Sequence, residues 1–238
     1  MILKLFSFQI KKILLYCEED STGRIVGLEK RIVFATGNKD KMKEIRQILV
    51  ELEQMGWELL SMKEAGLFAE IEENGRTFEE NAIIKAKAVA ELAAKSGMEA
   101  VVLADDSGLE VDYMDRQPGV LSARFLGEST SYSVKNKYIL DRLAEAEGAE
   151  RSARFVCVIA AVLPDGEVVT EKACVEGQIA YQEEGEGGFG YDPIFYLPEY
   201  KTTTAGLSPK EKNKISHRGK ALRQMREKLK QRYEEGRA

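Results

Sequence analysis

The sequence predicts an α/β fold built on a mixed β-sheet. Two observations carry this. Short apolar runs bounded by turn residues alternate with segments of helical periodicity, the pattern of a sheet flanked by helices. One pair of runs, RFVCVIAAVLPDGEVV, is joined by a Pro-Asp-Gly turn and therefore reads as a hairpin, which a purely parallel array would not contain.

The elements follow in order. The opening stretch MILKLFSFQIKKILLYC is apolar but interrupted by Lys4, Lys11 and Lys12, and the acidic EED comes straight after it. No small-residue cleavage site follows, so a signal peptide is not expected. An extra strand, an amphipathic arm or a mis-assigned start all fit residues 1–30. From Arg31, RIVFATGN reads as a strand ending in a Gly-containing turn. KDKMKEIRQILVEL then places Met42, Ile45, Ile48 (or Leu49) and Leu52 at helical spacing. T-F-E-E, from Thr77, is a capping box with Glu80 at N3. It opens a helix from about Phe78 to Ser96, stopped by Gly97. The apolar stripe of that helix is Ala82, Ala86, Val89, Ala90 and Ala93, whereas Asn81 and Lys85, four apart, share a different face. AVVLAD is a strand ending at the acidic cluster DDSG. EEGEGGFGYDP is a loop. SPKE opens a short helix with Ser208 as cap, Pro209 at N1 and Glu211 at N3. After SHR a basic helix runs to about Tyr233, with Leu222, Met225 and Leu229 facing inward.

Composition excludes several classes. Of 238 residues, 44% are hydrophobic and 32% charged, so the chain is neither disordered nor a membrane protein. No apolar run approaches the ~20 residues of a membrane span. A net charge of −5 argues against bulk nucleic-acid binding. The charge is uneven: Pro209 to Ala238 hold 11 Lys+Arg against 4 Glu. A basic end on an acidic body is either a solvated helix or a pocket for a small polyanion. Cys17, Cys157 and Cys174 are an odd count without metal spacing, and buried thiols in a reducing cytoplasm are expected. His217 is the one histidine, which excludes multi-histidine metal sites.

Four constellations could carry chemistry. In TGNKDK a strand gives way to a helix, whose N-terminal N–H groups attract anions. There Gly37 lets backbone approach phosphate, Asn38 can hydrogen-bond it and Lys41 adds charge. The pattern is not a Walker A loop, and an ordinary strand–helix turn would look the same. In DDSG, Asp105 and Asp106 point to opposite faces of their strand and so differ in role. One can bind Mg²⁺ and orient a water, as Mg²⁺ takes one or two carboxylates plus substrate phosphates. The other caps or braces the loop. Glu72 and Glu73 are a second acidic pair, just before the helix of Asn81 and Lys85. Solvated turn acids are the plain alternative. GEGGFGYD contains a formal G-x-G-x-x-G, but Tyr191-Asp192-Pro193 follows and no helix opens, which rejects a dinucleotide fingerprint. A glycine-rich loop with Phe189, Tyr191 and Asp192 suits a flat aromatic ligand, with Phe189 stacking and Asp192 or the backbone reading the edge. A long flexible loop is the alternative. In KNKISHRGKALRQM, Lys212, Lys214 and Arg218 surround His217 and favour an anion contact.

Taken in series, VFATGNKDKMKEI, TFEENAIIKAKA, ADDSGLEVD, PGVLSARF, GGFGYDPIF and EKNKISHRGKAL resemble the inosine/xanthosine triphosphate pyrophosphatase family over about Arg31 to Leu229. Any one motif is weak; six in order are specific. The resemblance implies an elongated mixed sheet with helices on both sides, two lobes flanking a nucleotide cleft, and a homodimer. It implies one domain over 31–233, with residues 1–30 an extension without counterpart in short bacterial members and 234–238 a tail. It implies Mg²⁺-dependent hydrolysis of XTP, ITP and dITP to monophosphate and pyrophosphate in the cytoplasm, with no nucleic-acid or membrane partner. The family's phosphate loop falls on Thr36, Gly37, Asn38 and Lys41; its metal carboxylate on Glu72, beside Glu73; its catalytic lysine on Lys85. Its metal-linked, proton-accepting aspartate falls on Asp106, and Ser107 touches substrate. The base pocket falls on Phe189, Gly190, Tyr191 and Asp192, and the late contacts on Lys212, His217 and Arg218. Two readings compete: a Maf-like pyrophosphatase for other NTPs, opposed by the pairing of FGYD with SHR, and a catalytically silent nucleotide- or nucleic-acid-binding protein, opposed by the intact acidic cluster.

Overall fold

A computed structural model of the chain describes residues 17–19, 25–27 and 30–234. The alternatives drawn for residues 1–30 lie for the most part outside the described residues. Within that stretch, β1 (Cys17–Glu19) and β2 (Ile25–Gly27) pair antiparallel as a small sheet of their own.

The main sheet has eight strands: β3 (Arg31–Phe34), β4 (Glu58–Ser61), β5 (Val101–Val111), β6 (Gln117–Pro118), β7 (Ser152–Val162), β8 (Val168–Ile179), β9 (Phe195–Leu197) and β10 (Thr202–Thr203). Their order is β10-β9-β8-β7-β5-β3-β4, with β6 on β5. β3 lies parallel to both β4 and β5, and the remaining pairings are antiparallel, so the sheet is mixed as expected. The α-helices among the described residues are α1 (Lys39–Ile48), α2 (Val50–Gln54), α3 (Phe78–Lys95), α4 (Tyr132–Arg142), α5 (Pro209–Ile215) and α6 (His217–Glu234).

Strand alternation sends neighbouring residues to opposite faces, and each face has its own helices. Ile32, Phe34, Leu103, Cys157 and Ile159 bury against α1, α2 and α6 through Ile45, Leu52, Leu222, Met225 and Leu229. Val33, Val102, Ala104, Val158 and Ala160 bury against Ala82, Ala86, Val89 and Ala93 of α3. The far ends of β5 and β7 form a third cluster with α4, around Leu109, Ile139, Phe155 and Phe195.

Four expectations change. The strand does not end at DDSG: β5 runs through Asp105–Gly108 to Val111, because β7 pairs with it from Val102 to Val111. Its parallel neighbour β3 stops at Phe34, opposite Leu103. Asp105 and Asp106 therefore lie just where the sheet loses one flanking strand. The single helix expected over KDKMKEIRQILVEL is broken at Leu49 into α1 and α2. At T-F-E-E only half of the capping box forms: Thr77 Oγ1 accepts from Glu80 N, but the Glu80 carboxylate turns to Arg76 N. Both halves form at Ser208 and Glu211. Cys157 is buried, whereas Cys174 is exposed on β8, where every second residue near it faces out.

Candidate active site

At the turn after β3, the Asn38 side chain caps α1, its Oδ1 accepting from Asp40 N at 2.9 Å and Lys41 N at 3.0 Å. Thr36 Oγ1 accepts from Asn38 N at 3.2 Å. Among the described residues a Cβ on Gly37 would meet nothing within 4 Å, so open space lies there. The cap sets Lys41 in the first turn of the helix, with its Nζ on the Asp105 carboxylate at 3.1 Å.

Asp105 and Asp106 diverge to the two faces of β5. Asp105 turns toward α1 and α6. Besides Lys41, Arg218 donates to its Oδ2 from Nε at 3.3 Å and Nη2 at 3.2 Å. Burial alone would raise this carboxyl, but Lys41, Arg218 and Lys85 outweigh it and hold it well below the ordinary carboxylate range. Asp106 turns toward α3. Lys85 Nζ donates to its Oδ1 at 2.9 Å, and Asn81 Nδ2 lies 3.4 Å from its Oδ2. Burial raises the Asp106 carboxyl, Glu73 adds to the rise, and Lys85 offsets only part of it. Lys85 is desolvated, yet Asp106, Asp105 and Glu73 together lift it above the usual lysine range. Two neighbouring carboxyls are thus held in opposite states of acidity.

Glu73 also reaches Lys85, at 3.2 Å. Glu72, the expected metal ligand of the pair, is exposed and does not line the cavity. The reason is local: exposure alternates from Ile71 to Gly75, so the adjacent side chains point opposite ways and Glu73 is the one turned inward.

The glycine-rich loop closes the other side. Asp192 is buried, and its Oδ2 accepts from Phe189 N at 2.7 Å and Lys212 Nζ at 2.6 Å, while its Oδ1 accepts from Thr204 Oγ1 at 2.8 Å. This carboxylate, expected as a possible reader of a base edge, is instead committed to shaping the loop. Tyr191 is likewise internal: its hydroxyl donates to Ser122 O at 2.8 Å and its ring meets Tyr132 edge-on. Phe189 remains as the aromatic face, with Lys212 Nζ 4.8 Å and the Arg218 guanidinium 5.6 Å from its ring centre. His217, at the start of α6, stacks on Phe155 at 4.8 Å. Burial, then Arg218 and Lys212, hold its imidazole well below the usual value. Its Nδ1 is buried and has no hydrogen-bond partner among the described residues.

A cavity of about 310 Å³ gathers Thr36, Gly37, Asn38, Lys41, Lys85, Asp106, Ser107, Phe189, Gly190, Tyr191, Asp192, Lys212, His217 and Arg218. Glu72 is the one expected site residue outside it. Asp105, Glu73, Arg124, Tyr132 and Phe155 also line it. A further residue, Glu44, stands behind the wall. Its Oε1 accepts from Lys212 at 2.8 Å and its Oε2 from Arg218 at 2.5 Å, tying α1 to α5 and α6. Sequence reasoning gave Glu44 and Arg124 no role. For Glu44 a signal existed, since it lies three residues after Lys41 and so shares its helix face.

Mixed α/β architecture and a cavity ringed by alternating cations and carboxylates define a protein suited to a small polyanion. The chain belongs to the Ham1 family, which it matches over residues 32–228. It is 43% identical over 202 residues to the dITP/XTP pyrophosphatase of Clostridium perfringens, covering 84% of this chain and 98% of that protein. It is 46% identical over 203 residues to the dITP/XTP pyrophosphatase of Desulforamulus reducens, covering 85% and 97%. Among solved structures, a HAM1 protein from Coxiella burnetii superposes with a TM-score of 0.74 at 39% identity, covering 84% of this chain and 98% of that one.

Proposed function

We propose that this chain hydrolyses non-standard purine nucleoside triphosphates (dITP, ITP and XTP) to the nucleoside monophosphate and pyrophosphate. The observation that carries the reading is the placement of Asp106: a buried carboxylate of raised basicity, bonded to Lys85, in a cavity with Lys41, Lys212 and Arg218. Relatives named dITP/XTP pyrophosphatase over nearly their whole length support the substrate class.

In this reading the water oxygen bonds to the α-phosphorus, the bond from that phosphorus to the α–β bridging oxygen breaks, and pyrophosphate leaves. Asp106 orients the water and takes its proton, a role favoured when burial lifts a carboxyl toward the working pH. Lys85 holds Asp106 and faces the charge building on phosphate; Lys41 and the N-terminus of α1 hold the phosphate chain. Ser107, on the Asp105 face of β5, donates or accepts beside it.

The donor set fits Mg²⁺. Asp106 and Glu73 both reach one cation, the Lys85 ammonium, at 2.9 and 3.2 Å. Mg²⁺ takes one or two carboxylates and completes its shell with phosphate and water, so Asp106 with Glu73 would hold it. When bound, the ion neutralises negative charge on the phosphates.

Phe189 stacks on the purine, with Gly190 keeping the loop close to it. His217, Arg218 and backbone N–H groups meet the 6-oxo oxygen that hypoxanthine and xanthine share. Adenine offers an amino donor there and leaves buried donors unpaired, a mismatch worth discrimination of ~10⁴. The same reading includes a homodimer and a cytoplasmic location. Among the described residues no helix is long and apolar enough to cross a membrane.

The test is pyrophosphate release with Mg²⁺ from dITP, ITP, XTP, GTP, ATP, TTP and UTP, with the monophosphate identified. Turnover concentrated on dITP, ITP and XTP supports the reading. Turnover centred on pyrimidine triphosphates, or none at all, overturns it.

A further inference from the structure

Five cationic side chains line the cavity: Lys41, Lys85, Arg124, Lys212 and Arg218. Four of them are engaged with carboxylates. Lys41 sits on Asp105, Lys85 on Asp106 and Glu73, Lys212 on Glu44 and Asp192, and Arg218 on Glu44 and Asp105. Arg124 differs. Its Nη2 donates to the main-chain oxygen of Glu73 at 3.1 Å, and among the described residues it forms no ion pair. An incoming polyanion must compete with a carboxylate for each of the other four. It meets no such competition at Arg124.

The segment that presents Arg124 is built to hold it still. Ser122 O accepts from the Tyr191 hydroxyl at 2.8 Å, and Ala123 O accepts from the buried Lys135 Nζ at 2.6 Å. Ser122 Oγ accepts from Leu109 N at 2.9 Å. The approach to β5 is so close that a Cβ on Gly108 would collide with Ser122 Oγ. Gly108 thus brings the Arg124 segment against the strand two residues from Asp106. A backbone clamped on both strand and helix, carrying a half-buried guanidinium aimed at a cavity, has already lost the entropy that binding would otherwise cost.

The geometry points to Arg124 as a further substrate-binding residue, contacting the phosphate groups that leave as pyrophosphate. This rests on the pyrophosphatase reading above. The planar fork of guanidinium donors suits phosphate oxygens bidentately, and its hold on the Glu73 main chain fixes Nη2 of a side chain that lines the cavity. The leaving group is the more highly charged product, so an unpaired cation acts most strongly on it.

The experiment is product inhibition of dITP hydrolysis at fixed Mg²⁺, comparing the unsubstituted enzyme, Arg124→Gln and Arg124→Lys. Loss of a charge-assisted contact predicts a pyrophosphate inhibition constant raised about 10- to 100-fold in Arg124→Gln. The inhibition constant of 2′-deoxyinosine monophosphate stays within about twofold, and Arg124→Lys recovers part of the pyrophosphate affinity. A merely structural role would weaken both products together, and that result overturns the proposal. So does an unchanged pyrophosphate constant in Arg124→Gln. If the unsubstituted enzyme fails to turn over dITP, the pyrophosphatase reading falls and the assignment of Arg124 falls with it; turnover with an unchanged constant removes Arg124 alone.

Discussion

Replacing Asp106 by Asn keeps the shape of the side chain and removes its charge and its capacity to take a proton. The structure sets the size of two separate effects. In the folded protein the Asp106–Lys85 pair, at 2.9 Å, is worth about 6 kcal/mol gross at an effective dielectric of about 20. Much of that is offset by the desolvation of both groups, which is why burial still raises the Asp106 carboxyl despite its lysine. In Asp106→Asn, Lys85 keeps Glu73 at 3.2 Å, and Asn81 remains beside position 106. The net cost to folding is therefore about 1–2 kcal/mol, or about 2–8 °C in Tm for a domain of this size. Catalysis loses more. A positioned base contributes ~10²–10⁴ in rate, about 3–5 kcal/mol of barrier. The assay is pyrophosphate release from saturating dITP with Mg²⁺, alongside thermal unfolding of the same preparation. A rate above about a third of the unsubstituted enzyme would refute the base assignment, since that amounts to under about 1 kcal/mol of barrier. A fall in Tm large enough to explain the lost rate would show that Asp106 holds the fold rather than the water.

Three further outcomes are expected. Glu44→Gln leaves Lys212 with Asp192, Arg218 with Asp105 and the Asn213–Gln47 hydrogen bond in place but removes the charged link from α1 to α5 and α6; a loss of about 2–3 kcal/mol follows, measured by denaturant unfolding, with KM for dITP rising more than kcat falls. Gly188→Ala places a Cβ against Asp192 Oδ2 at a residue with φ of +70°, so left-handed strain of about 1–2 kcal/mol adds to displacement of the loop carboxylate; the substitution should lower Tm and weaken dITP binding, and an unchanged KM would count against the Asp192 anchor. His217 is buried neutral, with its pKa held well below 6.5. Above pH 6.5 both folded and unfolded chains carry it neutral; as pH falls below that, only the unfolded chain takes the proton. Stability should therefore drop by up to about 1.4 kcal/mol per pH unit between pH 6.5 and about 5, and His217→Gln should flatten that slope in unfolding curves.

Local patterns carried much of the architecture. The helical spacing of Ala82, Ala86, Val89 and Ala93 identified the buried face of α3, and the four-residue interval from Asn81 to Lys85 placed both on one other face, where each meets Asp106. The Pro-Asp-Gly turn identified the β7–β8 hairpin. These features depend on short-range geometry, on repeats of two or 3.6 residues and on turn chemistry, and so they stand in the sequence itself. Alternation along a strand likewise told in advance that Asp105 and Asp106 would face opposite sides.

What each of those carboxylates does was decided only by the tertiary structure. Which one is stripped of its proton depends on partners 64 and 113 residues away, Lys41 and Arg218, against one 21 residues away, Lys85. Asp192 lay in a segment that resembles a base pocket, yet its lone pairs are taken by Phe189 N, Thr204 and Lys212. Arg124 carries no local signature of function, and Glu44 only its helical spacing from Lys41, because their significance is set by which charges surround them. Periodicity is a property of neighbours in the chain, and it is written in the order of residues. Electrostatic role is a property of neighbours in space, and burial makes it strong enough to matter only after the sheet has brought those neighbours together.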